Sequence, residues 1–166
     1  MNADHEHSLQ RGTVRRHAAI VLCAVAAAAI VVLAYYPSFS VPFQFDDMPS
    51  IRDNAHIRVS TLSPAALWDA GFKSRLSKRP VANISFALNH YVHDLEVPGY
   101  HMVNIIIHLI TGFFIFLMFR ETLIMTRNTH PGLLVGQDTS PYAVAFAAAL
   151  IWLVHPLATQ SVTYLV

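Results

Sequence analysis

Ala18-Ala19-Ile20-Val21-Leu22-Cys23-Ala24-Val25-Ala26-Ala27-Ala28-Ala29-Ile30-Val31-Val32-Leu33-Ala34-Tyr35-Tyr36 is nearly free of polar side chains. The run reaches roughly the 20 apolar residues that a helix needs to cross a bilayer. It predicts an all-α membrane protein whose first transmembrane helix is 18–36. A cleaved signal peptide is the rival, since Val32-Leu33-Ala34 satisfies a small-residue cleavage rule behind a basic start. The run is longer than a signal core and further apolar segments follow, so an uncleaved anchor is preferred.

Composition agrees with that beginning. Of the 166 residues, 54% are hydrophobic and 13% charged, with a mean hydropathy of +0.43. Soluble domains carry about a quarter charged residues. The formal net charge of +1 gives no reason to expect a nucleic-acid partner. Cys23 is the only cysteine and excludes an intrachain disulfide, while the ten histidines scatter rather than cluster.

Two more apolar segments follow, at 102–119 and 142–156. Ser140-Pro141 supplies a helix start for the last one, with Ser as cap and Pro in the first turn. From Tyr142 to Val154 it covers only about 20 Å of a hydrocarbon core about 30 Å thick. Whether it continues past His155-Pro156 with a kink or stops there is open in the sequence. Arg11, Arg15 and Arg16 precede the first span, whereas Arg120 and Arg127 follow the second. The positive-inside rule then places the 1–17 tail and the 120–141 loop in the cytoplasm. The 37–101 segment, and 157–166 after the third span, face outward, most simply across a bacterial inner membrane.

Within 37–101, Ser63-Pro64 opens a short helical pattern with Trp68 and Phe72 on one face. Pro80 opens another, with Val81, Ile84, Leu88, Tyr91, Val92 and Leu95 at helical spacing. Both are predicted to lie in the membrane interface; a small subdomain packing those faces against itself is the alternative. Lys78 and Arg79 stand where a helix N-terminus disfavours cations unless an anion such as phosphate joins them. Contact with water or headgroups is the preferred explanation of an isolated pair, and the phosphate reading gains weight only beside other motifs.

Asp46 and Asp47 stand in Phe43-Gln44-Phe45-Asp46-Asp47, shortly beyond the first span. Two carboxylates so near a membrane are costly unless a cation, a proton or a reacting group uses them. The bland reading is a loop turn or helix cap. His101, Asn104 and His108 share one face of the second span, either as an interhelical seam or as a cavity lining. His101 and His108 stand about 10 Å apart along a helix, too far to hold one metal between them. His155-Pro156 closes the third span on the same side as the aspartates.

Phe45-Asp46-Asp47 with Ile51 and Asn54, Arg79-Pro80 with Ser85 and Tyr91, Gly99-Tyr100-His101 with Asn104 and His108, and His155-Pro156 with Gln160, Val162 and Tyr164 form an ordered set. This set resembles the membrane-embedded start of GT-C type glycosyltransferases. The nearest group is that of transmembrane O-mannosyltransferases carrying tetratricopeptide repeats after the membrane part. The resemblance implies transfer of a sugar from a polyprenyl-phosphate donor to a protein or glycan acceptor on the non-cytoplasmic face. It implies Asp46 as general base, with Asp47 orienting the acceptor or a divalent metal ion. Arg79 and Lys78 would face the donor phosphate, and His101, Asn104 and His155 would line the cavity. Because a GT-C core needs more than three spans, the chain reads as an N-terminal fragment of a larger bundle, inactive alone. The competing class is a non-enzymatic membrane protein whose external loop binds a partner. A channel or transporter fits poorly, since the acids lie outside the spans.

Overall fold

The computed structural model describes residues 3–74, 77–130 and 140–166, with side chains from residue 18 onward. Every regular element among them is helical: α1 (Ala3–Tyr35), α2 (Pro64–Lys73), α3 (Pro80–His93), α4 (Val97–Thr129), α5 (Pro141–Leu153) and α6 (Thr159–Thr163). Short 3₁₀ or π turns fill Tyr36–Ser40, Met48–Arg52, Ala55–Ile57 and Pro156–Ala158. The all-α membrane architecture expected from the apolar runs is present. Two helices, Ala18–Ser40 and Val97–Thr129, are long and apolar enough to cross a membrane.

The third span is interrupted. Pro141–Leu153 and Pro156–Thr163 together pass the same test but are bent by 52° at the break. Pro156 has no N–H to continue the ladder and pushes His155 out of helical geometry, to ψ 134°. The question left open at His155-Pro156 is thus answered by a stop and a restart. α4 is longer than expected, beginning at Val97 rather than at residue 102 and ending at Thr129 rather than 119. Pro98 suits its first turn. Beyond residue 119, Thr122 and Thr129 turn their hydroxyls onto the carbonyls of Met118 and Met125 within the same helix. α1 likewise includes residues from Ala3 that were expected as tail.

α4 is the hub, with its most extensive contact along α5. A Cβ on Gly112 would lie 2.5–2.8 Å from three side-chain carbons of Leu153, so the absence of a side chain sets that approach. The Leu153 carbonyl, orphaned by the helix end, accepts from His108 Nε2 at 2.8 Å and from Tyr35 Oη at 3.2 Å. His108 also stacks on Trp152 at 4.8 Å and meets the Tyr35 ring edge-on at 5.5 Å. One carbonyl therefore pins α1, α4 and α5 beside a core of Val31, Tyr35, Ile105, Leu153 and Val162. Tyr35→Phe and His108→Leu should each lower stability in detergent by about 0.6–1.7 kcal/mol. Thermal unfolding of each single variant and of the pair measures this, and the pair should fall short of the sum because the acceptor is shared.

The segment between α1 and α4 has its own core. Ile51, Ile57, Ala70, Phe86, Ala87, Tyr100 and Leu165 pack together. α3 turns Asn83, Phe86, Ala87 and Asn89 inward, and Asn83 Nδ2 donates to Gly71 O of α2 at 3.1 Å. The stripe expected to be apolar points the other way: Val81, Leu88, Tyr91 and Val92 are exposed, as are Trp68 and Phe72, whose tilted rings lie 4.2 Å apart. Ile84 and Leu95 are half-buried instead. The two helices thus pack on each other through faces that include amides, and leave their hydrophobic stripes outside.

Candidate functional site

The acid pair lies on a loop that starts where α1 runs out. Ser38 Oγ donates to Tyr35 O at 2.6 Å and Ser40 Oγ to Pro37 O at 3.0 Å, closing the helix end. The chain then extends to Gln44 and turns sharply. Phe45 holds φ at +45°, the left-handed region that an aromatic residue seldom occupies. Asp47 N donates to Gln44 O at 2.9 Å, and Gln44 N donates to Asp47 Oδ2 at 3.1 Å. That reciprocal pair locks residues 44–47 into a tight turn.

The turn separates the two carboxylates. Asp47 is buried at 4% exposure, with its side chain occupied in the turn. Asp46 is exposed, and its side chain makes no hydrogen bond or ion pair among the described residues. Adjacent in sequence, the acids hold different positions: one inside the loop, one facing out. Among the described residues no three His, Cys, Asp or Glu side chains could hold a metal ion together.

Three of the four sequence motifs meet at this loop. His101, at 1% exposure, donates from Nε2 to Val41 O at 3.2 Å, and its Nδ1 is buried without a partner. The Phe43 ring stands edge-on to Tyr100 at 5.4 Å. The Phe45 ring lies 6.5 Å from that of Tyr164, whose carbonyl accepts from Asn104 Nδ2 at 3.0 Å. Asn104 also reaches Val162 O at 3.4 Å. Asn54 and Ile51 belong to the support beneath. Ile51 is fully buried, and Asn54 donates to Ser50 O at 3.0 Å and Ser74 Oγ at 3.1 Å while accepting from His56 N at 3.1 Å.

The remaining expected residues stand apart. Lys78 and Arg79 are exposed just before α3, and no hydrogen bond or ion pair joins either to Asp46 or Asp47. Arg79 is the N-cap of α3 with no side-chain capping bond, which leaves first-turn N–H groups open beside it. His155 is exposed and caps its own turn, accepting from Leu157 N at 3.2 Å. Sequence reasoning passed over Val41, whose carbonyl anchors the loop, and gave no role to Phe43 or Tyr164. Aromatic residues on both sides of Gln44 were the available signal. An open groove of about 720 Å³ beside α3 is lined in part by Arg58, His90, Tyr91, His93, Asp94 and Glu96, and does not include the acid pair.

No protein-family model and no solved structure matches the chain at a significant level. Curated relatives do. The protein O-mannosyl-transferase Tmtc3 of Drosophila melanogaster is 31% identical over 147 residues, covering 80% of this chain and 15% of its own length. Protein O-mannosyl-transferase TMTC2 of Mus musculus is 30% identical over 80% of this chain and 15% of its length. Protein O-mannosyl-transferase TMTC3 of Homo sapiens is 27% identical over 81% and 14% respectively. The chain therefore spans about 15% of the length of these relatives.

Proposed function

The chain is a relative of the protein O-mannosyl-transferases over four fifths of its length, and on that premise we propose that it carries the catalytic-base loop of a GT-C type glycosyltransferase. The donor in this reading is a polyprenyl-phosphate-linked sugar, a mannosyl donor by the relatives' names, and the acceptor is a protein or glycan hydroxyl. Asp46 takes the proton as the acceptor oxygen attacks the anomeric carbon. The bond from that carbon to phosphate breaks, and the polyprenyl phosphate leaves with the electron pair. Asp47 holds the turn rather than the proton. Arg79, with Lys78 beside it, offers positive charge and open helix N–H groups to the donor phosphate.

The observation that carries the proposal is the division of the acids on a loop clamped by the other motifs. Asp46 stays exposed and unpaired while its neighbour is buried. The membrane setting follows the charge pattern: Arg11, Arg15, Arg16, Arg120 and Arg127 on the cytoplasmic side, and the acid loop on the opposite face. A bacterial inner membrane with a cytoplasmic N-terminus fits this arrangement. The outward stripes of α2 and α3, with Trp68, Val81, Tyr91 and Val92 exposed, would then rest in the headgroup region where the donor lipid sits.

Kinetics on the complete gene product test the phosphate assignment. Arg79→Ala should raise KM for the polyprenyl-phosphate donor by about 10–100-fold, the worth of a charge-assisted hydrogen bond. Arg79→Lys should recover part of that loss, because the charge remains and the fork does not. A KM unchanged by Arg79→Ala would remove Arg79 from the donor site.

A further inference from the structure

We propose that His101 and Asn104 are positioning residues that aim the acid pair. The role rests on the reading above and assigns what sets its geometry. The left-handed turn at Phe45 is uncommon for a bulky residue and persists only where the surroundings over-determine it. Those surroundings come from one face of α4. His101 fixes the stem of the loop through Val41 O, and Tyr100 receives the Phe43 ring. Asn104 fixes Tyr164 through its carbonyl, and the Tyr164 ring stands against Phe45.

Three anchors, before, within and beside the turn, thus trace to residues 100, 101 and 104. Their joint effect is that the backbone reverses at Phe45, Asp47 folds back onto Gln44 N, and Asp46 is left facing outward. No hydrogen bond joins His101 or Asn104 to Asp46, so both act through the loop. His108 shares their face of α4 but bonds Leu153 O, at the C-terminal end of α5, and not the acid loop. It serves as the internal control for a purely structural role.

The test uses the complete gene product with polyprenyl-phosphate mannose as donor. His101→Leu should lower kcat by about 10²-fold, as misplacement of a catalytic group does, with KM for the donor unchanged. His101→Gln, which keeps a donor N–H near the Nε2 position, should restore much of that rate. Asn104→Leu should behave like His101→Leu, whereas His108→Leu should lower thermal stability and leave kcat unchanged.

A second readout does not depend on activity. In a Cys23→Ser background, Asp46→Cys should react with a maleimide faster than Asp47→Cys in the detergent-solubilised protein, and adding His101→Leu should abolish the difference. A wild type that transfers no sugar would defeat the proposed function, and the labelling contrast would still decide the positioning role. If neither the contrast nor kcat responds to His101→Leu, or if His108→Leu lowers kcat equally, the positioning role is overturned.

Discussion

Asp46→Asn in the complete gene product lowers the rate of sugar transfer by about 10²–10⁴-fold, the contribution of a general base, with no loss of folded protein. The side chain makes no hydrogen bond or ion pair among the described residues and faces outward, so the amide removes a proton acceptor and little else. Asp47→Asn should act differently. Asp47 is buried, and its Oδ2 accepts from Gln44 N, a task the amide oxygen of Asn can still perform. Its rate should fall far less than that of the Asp46 variant. Radiolabelled donor, followed into acceptor by single-turnover kinetics, separates the two. An Asp46→Asn enzyme with unchanged turnover would remove the catalytic assignment.

Gly112→Ala destabilises the bundle by about 1–3 kcal/mol, the range for overpacking a filled interior. The new methyl would sit 2.5, 2.7 and 2.8 Å from Leu153 Cδ2, Cγ and Cδ1. Leu153 has little room to yield, since it is buried among Val31, Tyr35, Ile105 and Val162. Moving α5 instead would stretch the bonds from Tyr35 and His108 to the Leu153 carbonyl. Leu153→Ala added to Gly112→Ala should recover stability, because the methyl then fills space the leucine gave up. Thermal unfolding in detergent for the four corners of this cycle gives the coupling. Additive losses would mean that the approach of the two helices does not depend on Gly112.

The helices were legible because lipid demands long uninterrupted apolar runs, and 18–36 supplies one longer than a signal core. Their ends were less so. Thr122 is a poor helix former by propensity, yet its hydroxyl bonds back to Met118 O and α4 continues to Thr129. On α3 the spacing of Val81, Leu88 and Val92 gave the stripe, but periodicity does not say which face turns inward. That depended on Asn83 finding Gly71 O, a partner twelve residues away.

The stripe of His101, Asn104 and His108 was equally visible, while its acceptors were not. They lie at Val41, Tyr164 and Leu153, 60, 60 and 45 residues distant in sequence. The adjacency of Asp46 and Asp47 could be read directly, whereas their separation into exposed and buried acids could not. It turns on a left-handed Phe45, which runs against the local propensity of an aromatic residue.

Everything assigned to Asp46 requires it to meet a lipid-borne sugar phosphate outside the cytoplasm. Its sidedness can be measured with a single cysteine at position 46 (Asp46→Cys, Cys23→Ser) and a membrane-impermeant thiol reagent. The reagent should label intact spheroplasts of the cells that make the protein, and should fail on sealed inside-out vesicles until they are opened. Labelling only from the cytoplasmic face would contradict the account.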